Sequence, residues 1–330
     1  MSVKKRRNSK LFFALCFINV FTFTTCVFDE DSIEDINSNA DTFSVNSKEK
    51  WDEVRSIIRK GGDNKEYTIN ITGDFSVEGN GGYTIFTFGY LSNITINVVG
   101  NHTITITSEG GIFCITFDQT IIIKDLTLKG NADNNSVLVS NYGGNFYMKG
   151  KSSITNNNGG GVSTHFVDNK GTFIMQDNSS ISNNSSIYPG GGVWVISGTF
   201  TMMNNASVSN NTSGAGGGVY IDTFGTFIMK DNSSIFNNYA RNGGGVYAEY
   251  GTFIMEGGII KSNNSYYNGG GIFINGGTIS KTGGIIYGSN EGSNSNSPNA
   301  IHQKTISSRW RNTTAGQNDN TTSDSFWLND

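Results

Sequence analysis

The sequence predicts an all-β protein, a right-handed parallel β-helix wound as a three-sided solenoid. Three observations predict it. Gly-Thr-Phe recurs with glycine at 171, 198, 225 and 251, bracketed by Gly144-Asn145-Phe146 and Gly277-Thr278-Ile279, at spacings of 27, 27, 27, 26 and 26 residues. Gly-Gly-Gly followed by an aliphatic residue ends at Val162, Val193, Val219, Val246 and Ile272. Paired asparagines stand at 156/157, 183/184, 210/211, 237/238 and 263/264. Units of this length cannot bury a core alone, so they must stack on one another. A flat β-solenoid of another cross-section is the competing architecture.

Composition agrees with this reading. Glycine supplies 43 of 330 residues and proline 2, which excludes a helical bundle. Aromatic residues at 12% exclude a flexible glycine–serine linker. The net charge of −4 removes the electrostatic case for nucleic acid, which needs a basic surface.

The N-terminus reads as an export signal over 1–25. Lys4, Lys5, Arg6 and Arg7 precede an apolar run from Leu11 to Phe23, which is short for a bilayer span; an uncleaved anchor is the alternative. Phe23-Thr24-Thr25-Cys26 is similar to a bacterial lipobox, although Phe23 and Thr25 depart from its preferred residues. Cys26 is therefore the expected lipidation site. Cys16 would leave with the signal, and Cys114 is read as a thiol within a β-strand, so cross-links do not supply the stability.

Residues 26–45 are polar and read as a tether. The span 46–62 reads as a capping helix, with Asn46 and Glu49 as a capping-box start and Trp51, Val54, Ile57 and Ile58 on one face. Such a helix covers the open end of a solenoid, where unpaired ladder groups invite aggregation. The β-helix is expected over 63–290. Its early coils are Tyr67–Ile71, Thr84–Phe88, Ile94–Val99, His102–Thr107 and Ile121–Leu128. Residues 291–330, with Ile301, Trp310, Phe326, Trp327 and Leu328, are read as a terminal cap with disordered stretches.

Strand alternation assigns the side chains. Phe146/Met148, Phe173/Met175, Phe200/Met202, Phe227/Met229 and Phe253/Met255 point inward. So do Val193/Val195, Val219/Ile221, Val246/Ala248 and Ile272/Ile274, together with Ile154, Ile181, Val208, Ile235 and Ile260. The paired asparagines are placed to form a side-chain ladder at one corner.

Gly190 to Val193 with Ile181 to Asn184 resemble the repeats of bacterial polymorphic outer-membrane proteins and adhesin-like β-helix proteins. The coil geometry is similar to that of the pectin-lyase-like superfamily. The resemblance is strong over 136–290 and weak over 67–135. It implies a surface-exposed solenoid engaged in adhesion or antigenic display. Many members carry a C-terminal membrane barrel; no segment of that kind is read after 290, so a lipid anchor or secretion is expected instead.

Two candidate sites follow. Trp194, Tyr220, Tyr247 and Phe273 form an aromatic row one position along from inward residues, read as facing outward. Stacked rings of this kind can bind sugar faces or a protein partner, or can pack on each other to stiffen the sheet. A weaker apolar stripe runs through Ile174, Thr201, Ile228 and Ile254. Asp222 and Glu249 occupy one position in successive coils and are the candidates for a carbohydrate-active acid–nucleophile pair or for holding Ca²⁺. No lysine or arginine shares their column, so a solvated strand edge is the competing reading. His102, His165 and His302 lie in different contexts, and His165 with Asp168 is read as a surface loop. No metal-ligand spacing is present and no cofactor is expected. The sequons, Asn70-Ile71-Thr72 among them, matter only in a eukaryotic secretory pathway.

The expected function is that of an exported, non-catalytic binding or display scaffold at the cell surface or outer membrane. It touches membrane through its lipid anchor only. A glycan or a host or neighbour surface protein is the expected partner, and a polysaccharide lyase or glycoside hydrolase is the alternative.

Overall fold

A computed structural model describes residues 42–79, 86–165 and 171–287, together with the backbone of the strands Ile301–Lys304, Trp310–Asn312 and Asn318–Asp319. The export signal, Cys26, most of the tether, Asp168 and Phe326–Leu328 lie outside the described residues. The chain is a right-handed parallel β-helix of about 9 turns. Its strands form a 17-stranded sheet, a 10-stranded sheet and a 3-stranded sheet.

One coil shows the construction. Strand Val193–Met202 runs ten residues without a break from the valine that ends Gly-Gly-Gly-Val through the Gly-Thr-Phe segment, so two faces expected to be separate share the largest sheet. Asn204 turns the chain at φ 56° into Ser207–Ser209, which belongs to the 10-stranded sheet. Asn210 turns it again at φ 55°, and Thr212–Ala215 follows. That last strand pairs with Tyr239–Asn242, which pairs with Asn264–Asn268, giving a small sheet absent from the three-strand reading. Gly216 closes the coil at φ 62°. Asparagine tolerates the left-handed region better than other side-chain-bearing residues, which is why it recurs at these corners.

The next two glycines serve a different need. A Cβ on Gly217 would stand 2.5 Å from the carbonyl oxygen of Tyr239, and one on Gly218 would stand 2.6 Å from that of Gly245. Successive backbones touch here, and only glycine leaves the room.

The inward assignment holds throughout. All five Phe/Met pairs, the four aliphatic pairs of the Gly-Gly-Gly strands and the Ile154 column are fully buried. Phe146, Phe173, Phe200, Phe227 and Phe253 stack in parallel at 5.2, 4.6, 4.8 and 5.1 Å between ring centroids. These separations match the spacing of neighbouring strands, so the column is a direct product of in-register pairing.

The asparagine ladder is buried and longer than the sequence pattern suggests. Asn134, Asn157, Asn184, Asn211, Asn238 and Asn263 form it. The Asn184 backbone N–H donates to Asn211 Oδ1 at 2.9 Å, and the Asn211 backbone N–H donates to Asn238 Oδ1 at 2.9 Å. Each side-chain amide reaches back to the coil before, as Asn211 Nδ2 does to the Ile181 carbonyl at 3.1 Å. The last pair is 262/263 rather than 263/264: Asn238 bonds Asn263, and Ser262 takes the left-handed corner at φ 52°.

At the N-terminal end Thr42–Val45, read as tether, pairs in parallel with Glu66–Ile71 and adds a rung. The helix Lys48–Lys60 is capped by Ser47, whose Oγ accepts from the Lys50 N–H, not by Asn46. Trp51, Val54 and Ile58 are buried, whereas Ile57 is half-buried. Trp51 contacts the rings of Phe75, Phe88 and Phe113. Arg59 donates to the carbonyls of Thr87 and Phe86, closing the helix over the first coils.

The early coils differ in detail. Described residues 87–90 form a turn where part of a strand was expected. Asp125, at φ 56°, splits the expected Ile121–Leu128 strand into Gln119–Lys124 and Thr127–Lys129. Beyond 290, Ile301–Lys304 pairs in register with Ile272–Asn275, and Trp310–Asn312 then runs antiparallel to it.

Candidate functional site

In-register pairing turns the aromatic row into part of a longer one. Cys114 pairs with Ser140, Ser140 with Ser163, Ser163 with Trp194, Trp194 with Tyr220, Tyr220 with Tyr247 and Tyr247 with Phe273. Three small residues therefore precede four aromatic ones along one line of the solenoid.

The aromatic half is packed rather than open. Tyr220, Tyr247 and Phe273 are only 5, 8 and 5% exposed, which corrects the reading of an outward, accessible stripe. The small sheet rises beside them and Ala215 packs against the cluster, while Trp194 remains half-buried. Tyr220 and Tyr247 stack at 5.0 Å and 6°, and Tyr247 meets Phe273 at 4.9 Å. The Tyr220 hydroxyl donates to Glu249 and the Tyr247 hydroxyl accepts from Asn275 Nδ2 at 3.3 Å. Burial, with the Glu249 bond adding to it, raises the Tyr220 hydroxyl far above its ordinary pKa. Burial likewise pushes Tyr247 up to about 12. Both phenols stay protonated at neutral pH and act as fixed hydrogen-bonding groups.

This arrangement also accounts for the carboxylates. Glu249 is engaged by Tyr220 across the rung. Asp222 caps its own turn, accepting from the Thr223 N–H at 2.7 Å and its hydroxyl at 3.2 Å. Each is tied to a structural partner. In the weaker apolar stripe Thr201 is buried and Ile174, Ile228 and Ile254 are half-buried.

Over the small half of the row the same trough is unfilled. A cavity of about 210 Å³ lies there with Cys114, Ser140 and Ser163 along its floor. Trp194 stands at the end where the row becomes aromatic, its plane 88° from that of Tyr220. Tyr142 and His165 line it at the C-terminal ends of the floor strands. Asn135, Ser136, Tyr188 and Pro189 line it before their N-terminal ends. Tyr188 is exposed, as is its neighbour Ile187.

His165 belongs to this wall and not to a free surface loop. Its ring stacks on Tyr142 at 4.7 Å and 16°, and Nε2 lies 3.2 Å from Ser163 Oγ. Its backbone N–H donates to the Asn141 carbonyl at 2.6 Å. Burial lowers its pKa to about 4, so the imidazole is neutral at pH 7. His102 pairs with Asp74 at 3.1 Å on a different part of the surface. No lysine, arginine, aspartate or glutamate lines the cavity among the described residues. The arrangement offers neutral hydroxyl, amide and imidazole groups between aromatic rings.

Cys114, Tyr142 and His165 were not candidates on sequence grounds. The strands Phe113–Thr116 and Val139–Tyr142 lack the Gly-Gly-Gly signal that marks their later counterparts. Following the register backwards from Trp194 through Ser163 is the signal that finds them. Comparison with protein-family models, with curated proteins and with solved structures returned no match.

Proposed function

We propose that this chain is an exported, non-catalytic binding and display scaffold of the adhesin-like β-helix kind. It is held at the cell or outer-membrane surface by acylated Cys26, and its ligand seat is the cavity over Cys114, Ser140 and Ser163. The supporting observation is the interruption of the aromatic row. Where the trough is filled, rings pack on rings and leave little accessible surface. Where three small side chains replace them, a concave site remains in which serine hydroxyls, the Asn135 amide and the His165 imidazole converge between aromatic rings. The partner is a glycan or a surface protein presenting one.

Two measurements test the reading. Fractionation of cells producing the full chain should place it with membranes, and Cys26→Ser should move it to the soluble fraction; mass spectrometry of the N-terminal peptide reads the acyl group directly. Purified protein should retain ligand on a glycan array without releasing reducing sugar. Turnover abolished by Asp222→Ala would instead establish the carbohydrate-active alternative.

A further inference from the structure

Resting on the binding reading above, we infer that the cavity takes a single terminal ring of a neutral saccharide, end-on. Size is the first argument. At about 210 Å³ the cavity lies below the roughly 300–1,000 Å³ of clefts that enclose drug-sized ligands. That suits one sugar ring and not a length of chain. The floor spans three rungs, about 10 Å at the spacing of neighbouring strands, and Trp194 occupies the next position in the row. A chain lying along the trough would have to pass the Trp194 ring and the buried Tyr220, so it is received by its end.

Chemistry is the second argument. The lining presents the hydroxyls of Ser140 and Ser163, the Asn135 amide and an imidazole, but no lysine or arginine among the described residues. A carboxylate or sulfate on the incoming ring would lose its hydration without gaining a cation, which is costly. A neutral ring exchanges hydroxyl hydrogen bonds for equivalent ones and places its C–H faces against Tyr142 and Trp194. Ser163 with His165 forms a bonded pair able both to donate to and to accept from a sugar hydroxyl.

The test uses the purified full chain and glycans immobilised in matched pairs, one member ending in galactose, glucose or mannose and the other capped by sialic acid or glucuronate. Retention is expected on the neutral-ended members, with at least a tenfold loss on capping and competition by free neutral monosaccharide but not by glucuronate. Ser163→Trp extends the aromatic row by one rung, fills the cavity and should abolish retention while the thermal transition persists. Ser140→Gln, a smaller intrusion, should weaken retention and guards against a misfolded tryptophan variant. Phe224→Ala, at an exposed site outside the cavity, should leave it unchanged. Preferential retention of the acidic members, or of no glycan, overturns the neutral-ring inference. Neutral glycans retained equally by a folded Ser163→Trp protein overturn the cavity as the seat and with it the reading on which the inference rests.

Discussion

Single residues carry sharply different burdens within one repeat position. Ser152 and Ser179 bury hydroxyls that have no hydrogen-bond partner, whereas the same column holds Ala206 one coil later and Ser233, whose hydroxyl donates to the Lys230 carbonyl at 2.6 Å. Ser179→Ala removes an unmet donor without opening a space larger than Ala206 already shows. It should raise stability by up to about 1 kcal/mol, read as a shifted urea midpoint at constant slope. Asn211→Ala is the opposite case. It strands the Asn184 N–H and the Ile181 carbonyl inside the protein and should cost about 3 kcal/mol in the same measurement. His165 makes stability depend on pH. The unfolded chain takes up a proton near pH 6.5, while burial delays this to about pH 4 in the folded one. The contribution is complete above pH 6.5 and is lost as pH falls toward 4, by at most about 3 kcal/mol. His165→Asn should flatten that window in a series of melts between pH 4 and 7.

At the scale of elements, the phenylalanine column is the main internal support. Phe200 lies between Phe173 and Phe227 with every atom out of solvent. Phe200→Ala should cost about 3–5 kcal/mol, because the flanking backbones are pinned by ladder bonds and cannot close the gap. Thermal unfolding followed by far-ultraviolet dichroism measures it. Inward alternation in these strands was legible residue by residue, since a period of two admits one assignment once the core face is chosen. Helix capping was legible to within one residue: Asn46 and Ser47 are both good caps, and only the backbone decides between them. The small sheet was not legible. Thr212–Ala215 and Tyr239–Asn242 contain Gly214 and Arg241 and show no alternation, so nothing in their composition separates them from a turn.

For the whole molecule, the repeat explains why architecture could be read from sequence while the site could not. Solenoid stability comes from like residues placed on like, and periodicity records that directly. The proposed seat depends on where the likeness fails. Ser163 in the place of Trp194 is such a failure, and it acquires meaning only when the pairing shows that Ser140 and Cys114 continue it. The aromatic row attracted attention because it is repetitive, and repetition here marks packing: Tyr220, Tyr247 and Phe273 fill the trough that lies open over Cys114, Ser140 and Ser163.

The in-register stacking has a consequence for how such a chain can grow or shrink. Each rung is joined to the next by the same contacts, so excising one full period rejoins compatible surfaces. Removing Gly198 to Phe224, 27 residues, brings Ser197 directly before Gly225 and sets Phe173 beneath Phe227. That shortened protein should still fold, with a single transition a few degrees lower and the cavity over Cys114, Ser140 and Ser163 intact. Removing half as many residues from the same place should yield no cooperative melt. Length in this molecule is thus an adjustable dimension, changed in whole steps by duplication or loss of the underlying coding segment, while the cavity near the capped end stays as it is.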